Sequence, residues 1–226
     1  MQYAKVRRAV FLERPNRFIA RCRLDGEEVV AHVKNTGRCR ELLVLGAVVL
    51  LEDCPKPGRK TRYSLVAVYK GPLLINMDSQ APNQAVAEAL GRGLLDFADG
   101  FAREKTFGAS RFDFLLTKGG ETAGYLEVKG VTLEEDGVAM FPDAPTERGV
   151  THTEELETVA AQGLFAGLLF LIQFSPCHYF TPNRGTHPAF ADAVVRAAER
   201  GVAVLAYDTI VTEDSMTLRE KVEVVL

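Results

Sequence analysis

The sequence predicts an α/β protein in two parts, a small five-stranded β-barrel followed by a mixed α/β domain. Three observations predict it. The first eighty residues alternate apolar and polar positions in short β-branched runs broken by turn residues. Beyond residue 83 the pattern changes to helical spacing alternating with apolar runs. Charge divides at the same place. The 226 residues carry 27 Lys+Arg and 30 Asp+Glu, a net of −3, but 15 basic and 8 acidic residues fall in 1–80. That half is +7, which leaves −10 for residues 81–226. Such asymmetry suggests a basic binding surface joined to an acidic partner domain; simple attraction between the halves is the other reading.

Residues 6–12, 17–24 and 27–33 read as strands, with Asp25-Gly26 as a tight hairpin between the second and third. Asn35-Thr36-Gly37 precedes a short helical turn at 38–43, and residues 47–52 resume as a strand. A loop at 53–60, with two prolines and a glycine, leads to a fifth strand at 63–69. Three strands, a short helix and two strands is the order of an OB-type barrel, a fold that binds oligonucleotides or oligosaccharides. Residues 73–83 form a bridge, so the expected domains are 1–80 and 81–226. Asn83 caps a helix through Val86, Leu90 and Leu94. Strands follow at 102–107, 111–116 and 124–131, then a helix at 153–165 and a buried strand at 168–174. A last helix has Pro188 in its first turn and Gly201 past its end, followed by a strand at 202–207.

Composition excludes several classes. Hydrophobic residues at 47% and charged residues at 25% exclude a disordered chain. The longest apolar run, 163–174, is interrupted by Gln173 and too short to span a bilayer. The N-terminus has charges in every apolar stretch and does not read as a signal peptide. Cys22, Cys39, Cys54 and Cys177 show no C-x-x-C or zinc spacing, so reduced thiols in the cytoplasm are expected. No membrane association is expected, and a homodimer is left open.

The chemistry concentrates in residues 110–133. Two strands flank Lys118-Gly119-Gly120. Period-2 alternation puts Arg111, Asp113 and Leu115 on one face of the first, with Phe112, Phe114 and Leu116 on the other. On the second, Tyr125, Glu127, Lys129 and Val131 share a face. A hairpin folded about Gly120 sets Asp113 opposite Glu127, where two carboxylates repel unless a cation lies between them. A divalent metal held by Asp113 and Glu127, with Mg²⁺ or Mn²⁺ the expected cofactor, suits that pair. Lys129 is placed to orient the attacking water or neutralise charge on a phosphate. The competing reading is a solvated surface cluster.

That constellation resembles the PD-(D/E)xK nuclease superfamily: an acid on one strand (Asp113), then Glu-x-Lys on the next (Glu127, Lys129). A proline does not precede the acid here, since Phe112 stands there. The resemblance implies metal-dependent phosphodiester hydrolysis and a further glutamate, Glu88 in the helix or Glu104 on the preceding strand. Longer strings, FLERPNRF, HVKNTGRCREL, KTRYSLVAVYK, EVKGVTL and FPDAPTERGVTHTEEL, resemble the sugar fermentation stimulation protein A family over essentially the whole chain. This implies an OB-like domain joined to a nuclease-like domain, DNA binding, and a link to sugar (maltose) metabolism.

DNA is therefore the expected partner. Arg14, Arg17, Lys34, Arg38 and Arg40, with Arg59, Lys60 and Arg62, supply cations among the aromatics Phe11, Phe18, Tyr63 and Tyr69. Each aromatic taken singly reads better as barrel core. The turn at Asn35-Thr36-Gly37-Arg38 is either an anion site or a capping turn. Arg111, Arg148 and His152 are expected as DNA contacts, Arg148 and His152 at a phosphate and Arg148 bidentately, although His152 reads better as an N-terminal helix residue with no catalytic role. Two functions compete: a metal-dependent nuclease, and a non-catalytic DNA-binding transcriptional regulator that keeps the nuclease fold as scaffold. An oligosaccharide binder is a weaker third, since no Trp is present to stack on sugar rings.

Overall fold

The computed structural model describes residues 1–35, 37–55, 58 and 60–226. Arg59 of the expected cationic group and Thr36 of the expected turn lie outside the described residues.

The N-terminal part is a closed five-stranded barrel. Strands β1 (Val6–Asn16), β2 (Ile19–Leu24), β3 (Glu27–Val33), β4 (Val48–Asp53) and β5 (Tyr63–Lys70) pair in the cyclic order β1-β2-β3-β5-β4. Closure comes from the parallel contact of β3 with β5, which pairs Ala31 with Tyr63. The β2–β3 hairpin turns on Asp25 and Gly26, both at positive φ (52° and 87°), the conformation a two-residue hairpin demands. A sixth strand, β6 (Leu73–Asn76), pairs antiparallel with β5 where a bridge was expected. The expected helical turn at 38–43 is a hydrogen-bonded turn in which Leu42 and Leu43 both donate to the Cys39 carbonyl. Six residues are too few to repay helix nucleation there.

The second part is built on a six-stranded sheet in the order β15-β14-β12-β9-β8-β7. Its strands are β7 (Gly100–Phe107), β8 (Ser110–Lys118), β9 (Glu121–Val131), β12 (Phe165–Ile172), β14 (Ala203–Val211) and β15 (Met216–Val222). The central strand β12, FAGLLFLI, runs parallel to both neighbours and is buried on both faces, which explains its unbroken apolar run. A small sheet of β10 (Leu133–Glu135), β11 (Val138–Phe141) and β13 (Tyr179–Pro182) flanks it. None of β10, β11, β13 or β15 was expected.

Among the described residues three helices cover the large sheet: α1 (Ala81–Gly91), α2 (Glu147–Ala161) and α3 (Pro188–Glu199). Helix α1 starts two residues before the expected cap; Gln80 stands at its N-cap and Pro82 in its first turn. Leu94 falls beyond its end and is exposed. Helix α2 begins at Glu147, six residues earlier than expected, because the Thr146 hydroxyl accepts from the Gly149 N–H and caps it.

One apolar cluster joins the barrel interior (Phe11, Val33, Leu65) to α2 (Leu156), α3 (Phe190) and the central strand β12 (Phe170). A second gathers α1 (Val86, Ala89) with Phe114, Leu126 and Val128 of the sheet and Leu50 and Val66 of the barrel. Both clusters draw on both parts of the chain, which fixes the barrel against the sheet.

Candidate functional site

The β8–β9 hairpin carries the acidic cluster. Phe114, Leu115 and Leu116 pair with Leu126, Tyr125 and Gly124, the register expected from folding about Gly120, and a bulge follows toward the turn. This register sets Asp113 opposite Glu127, one step past the last paired residues. There the ladder gives way. The Val128 N–H donates to the Asp113 Oδ2 at 2.8 Å, so a side chain takes the place of a main-chain acceptor.

Strict alternation fails at the same point. Phe112 and Phe114 were expected on one face, but Phe112 packs against Tyr125 and His152, while Phe114 joins the cluster under α1. Across the β7–β8 ladder, Arg103 pairs with Phe114 and Lys105 with Phe112, so Glu104 lies opposite Asp113. Glu104 has φ 51°, the left-handed region that a side chain adopts at a cost. The break at Glu104 and Asp113 turns the far end of the hairpin over and parts β8 from β9 beside Glu127.

Asp113 and Glu127 meet in that opening with their pKa values shifted in opposite directions. Burial raises the Asp113 pKa above its ordinary value, and the neighbouring Glu127 charge raises it further. The Asp113 Oδ1 also accepts from the Asn83 side-chain amide of α1 at 2.6 Å. Glu127 is 4% exposed, and burial alone raises its carboxyl too. Hydrogen bonds from His152 and Lys129, with the nearby Lys129 charge, outweigh that and hold the carboxyl below its ordinary value. Both donors use one oxygen: the Lys129 Nζ lies 2.6 Å and the His152 Nδ1 2.5 Å from the Glu127 Oε1. The other oxygen, Oε2, is buried without a hydrogen-bond partner among the described residues.

A buried, unpartnered carboxylate oxygen beside a second carboxylate fits a divalent cation, which repays the desolvation of both. Asp113 and Glu127 are the residues that would hold it. Among the described residues no group of three or more His, Cys, Asp or Glu side chains is arranged to hold a metal ion. A small cation that retains waters and takes phosphate oxygens needs only one or two carboxylates.

The remaining expected residues divide clearly. Glu88 is not brought to the cluster; its carboxylate pairs with the Met1 amino group at 2.6 Å. Glu104 turns outward to Arg111, 3.5 Å away, and both are exposed. The α1 residue that reaches Asp113 is Asn83, which the sequence reading placed as a cap. Its signal was available: Asn83, Val86 and Leu90 share one helical stripe, and a polar residue on an apolar stripe invites a partner. His152 was expected at a phosphate, but it is 5% exposed and turned onto Glu127. Arg148, one helical turn before it, is exposed and donates its Nε–H to the His152 Nε2 at 3.2 Å.

On the barrel, three expected DNA contacts are engaged internally. The Arg14 guanidinium donates to the carbonyls of Arg17, Asn35, Gly37 and Arg38. Lys34 pairs with buried Asp78 at 2.6 Å, and Arg62 grips Asp53 through two 2.7 Å hydrogen bonds. Arg14 thereby shapes an open pocket of about 320 Å³ that Arg17, Arg38 and Arg40 line. These three side chains are exposed, and among the described residues no carboxylate lines that pocket. Phe18, 43% exposed, stands beside it with the Arg17 guanidinium 4.6 Å above its ring. Phe11 and Tyr63 are buried in the barrel, as core aromatics should be. Lys60 is exposed. The loop that Arg14 secures also touches the second domain, where Gly37 packs so closely on the Asp143 carboxylate that a Cβ would collide with it.

Cys22, Cys39 and Cys177 are free thiols, and among the described residues no helix is long and apolar enough to cross a membrane.

Comparison with known proteins gives a consistent result. Residues 80–215 match the family model described as the Sugar fermentation stimulation protein RE domain, and residues 12–77 match the SfsA N-terminal OB domain. A sugar fermentation stimulation protein homolog of Desulfitobacterium hafniense (strain Y51) is 52% identical over 226 residues, covering 100% of this chain and 99% of the relative. Another from Clostridium perfringens (strain 13 / Type A) is 51% identical over 230 residues, covering both chains completely (100% each). A solved structure described as "The structure of Pyrococcus Furiosus SfsA in complex with Ca2+" superposes with a TM-score of 0.89 at 28% identity. It covers 100% of this chain and 98% of the other.

Proposed function

The chain belongs to the sugar fermentation stimulation protein family, and we propose that it is a DNA-binding, Mg²⁺- or Mn²⁺-dependent phosphodiesterase whose DNA chemistry underlies a role in sugar (maltose) metabolism. The observation that carries this reading is the Glu127 carboxylate, buried with one oxygen unpartnered beside Asp113 and tied through the other to Lys129. The Pyrococcus furiosus relative, described as a complex with Ca2+, supports a divalent-cation site somewhere on this fold.

In this reading Asp113 and Glu127 hold the cation. The chemistry a bound divalent cation supplies is charge stabilisation at the phosphoryl oxygens and activation of water. Lys129, only 15% exposed, faces the same opening and neutralises negative charge that develops on the phosphate. Arg148 at the mouth contacts the phosphate. Arg17, Arg38 and Arg40 bind the backbone of the same DNA at the barrel, and Phe18 stacks on a base. We place the protein in the cytoplasm, where buried Cys22 and Cys39 stay reduced.

The test is cleavage of single-stranded, duplex and branched DNA with Mg²⁺ or Mn²⁺. Activity that disappears in chelator and in Lys129→Ala supports the reading. Tight DNA binding without cleavage of any of the three substrates sinks it and leaves the second reading, a non-catalytic DNA-binding regulator. One observation favours that alternative: Glu88, the acid expected from the first helix, is held by the Met1 amino group instead.

A further inference from the structure

We infer that Arg148 and His152 form a positioning pair for the site, with His152 fixing the Glu127 carboxylate and Arg148 carrying the contact to a substrate phosphate. This rests on the phosphodiesterase reading.

The two residues stand four apart on α2, one above the other on one helical face. Arg148 in the first turn is exposed and His152 is buried. Between them the proton inventory permits one arrangement. A guanidinium N–H only donates, so the His152 Nε2, which receives the Arg148 Nε–H at 3.2 Å, is the bare nitrogen. The ring proton then sits on Nδ1 and is donated to the Glu127 Oε1 at 2.5 Å. Phe112 packs edge-on against the imidazole, with ring centroids 6.0 Å apart, and holds its plane.

The consequence falls on Glu127. Its Oε1 receives both the His152 and the Lys129 donors, which leaves the carboxylate one rotamer and keeps Oε2 directed away from both. The Arg148 Nε is committed to His152, while its terminal amino groups make no hydrogen bond among the described residues and stand free for two phosphate oxygens. Substrate phosphate, Arg148, His152 and Glu127 therefore form one continuous chain. Second partners of metal ligands commonly act this way. His152 touches neither substrate nor cation and is a positioning residue.

Nitrogen-15 NMR of the full chain without metal tests the arrangement, with the His152 signal assigned by its loss in His152→Asn. The expected spectrum has Nδ1 protonated and Nε2 bare; an Nε2–H tautomer overturns the inference. Mn²⁺ titration tests the consequence: His152→Leu should weaken binding about 10–100-fold. His152→Asn, whose amide replaces the Nδ1–H donor, should return it to within roughly threefold of wild type. Unchanged affinity in His152→Leu, or equal loss in both variants, overturns the inference. Arg148→Ala should raise the KM for oligonucleotide cleavage about tenfold while Mn²⁺ affinity holds. A KM that stays at the wild-type value overturns the Arg148 part. Wild-type protein that binds no Mn²⁺ defeats the phosphodiesterase reading itself, and the tautomer then decides the pairing alone.

Discussion

The barrel and the sheet domain treat charge in opposite ways. On the barrel, Arg14, Lys34 and Arg62 are tied to internal acceptors and shape the surface, while Arg17, Arg38 and Arg40 stand in water around one pocket. In the sheet domain Glu127 and His152 are buried and joined, and Asp113 is held above its ordinary pKa. Solvated charges cost the fold little and offer a screened, salt-sensitive attraction. Buried charges cost the fold more but act at low dielectric on whatever enters the site. In the proposed reading, the difference separates a region that attracts a polyanion from one that acts on it.

The largest effect expected from breaking this contrast lies in the sheet domain. Lys129→Ala should lower the Mg²⁺-dependent cleavage rate about 10²–10⁴-fold. Its DNA affinity, read by fluorescence anisotropy, should stay near wild type, because the barrel is untouched. A rate within twofold of wild type would place the chemistry elsewhere.

Next come two arginines of the same pocket with opposite roles. Arg14→Ala should cost about 2 kcal/mol in urea unfolding, since it leaves main-chain carbonyls of the 35–38 loop without their donor. Arg38→Ala should change stability by no more than about 0.5 kcal/mol. Equal destabilisation by the two would erase the distinction between scaffold and contact.

For the pocket as a contact, a combined Arg17→Ala, Arg38→Ala and Arg40→Ala variant should flatten the dependence of log K on log salt by about 2 for single-stranded DNA. Binding curves at four or five salt concentrations decide it, and an unchanged slope removes the barrel from the DNA interface.

The smallest effect concerns Asp113. Its pKa is raised by folding, so the folded state keeps a proton that the unfolded chain loses as pH rises past about 3.9. Ionised Asp113 therefore destabilises the metal-free protein at neutral pH, and the penalty is relieved as pH falls through its raised pKa. Asp113→Asn, with the Asn83 amide turned to accept, should raise Tm in chelator at pH 7. The gain should shrink toward pH 4. Glu127 runs the other way: its lowered pKa gives stability that is present above about 4.3 and lost as pH falls through the folded value. Metal-free melting curves of both Asp113→Asn and Glu127→Gln between pH 3 and 7 separate the two signs.

The sequence by itself determined the barrel strands, the parallel core strand and the hairpin register that brings Asp113 opposite Glu127. Each is local: alternation, an apolar run, or a glycine turn that leaves one way to fold back. The Glu-x-Lys spacing likewise sets Glu127 and Lys129 on one face whatever surrounds them. What only the tertiary structure decided is where alternation stops and who meets whom. Nothing adjacent in sequence marks Glu104 and Asp113 as the point where the hairpin turns over, because that break belongs to two strands at once. Met1 capturing Glu88 across 87 positions, and α2 lowering His152 onto Glu127, depend on packing among distant elements. The same holds for the arginines. Composition counts them all as cations, and only the folded loop shows that Arg14 holds carbonyls while Arg38 and Arg40 face water. A side chain's type fixes the bonds it can make, but the fold fixes which partners stand within 3 Å to make them.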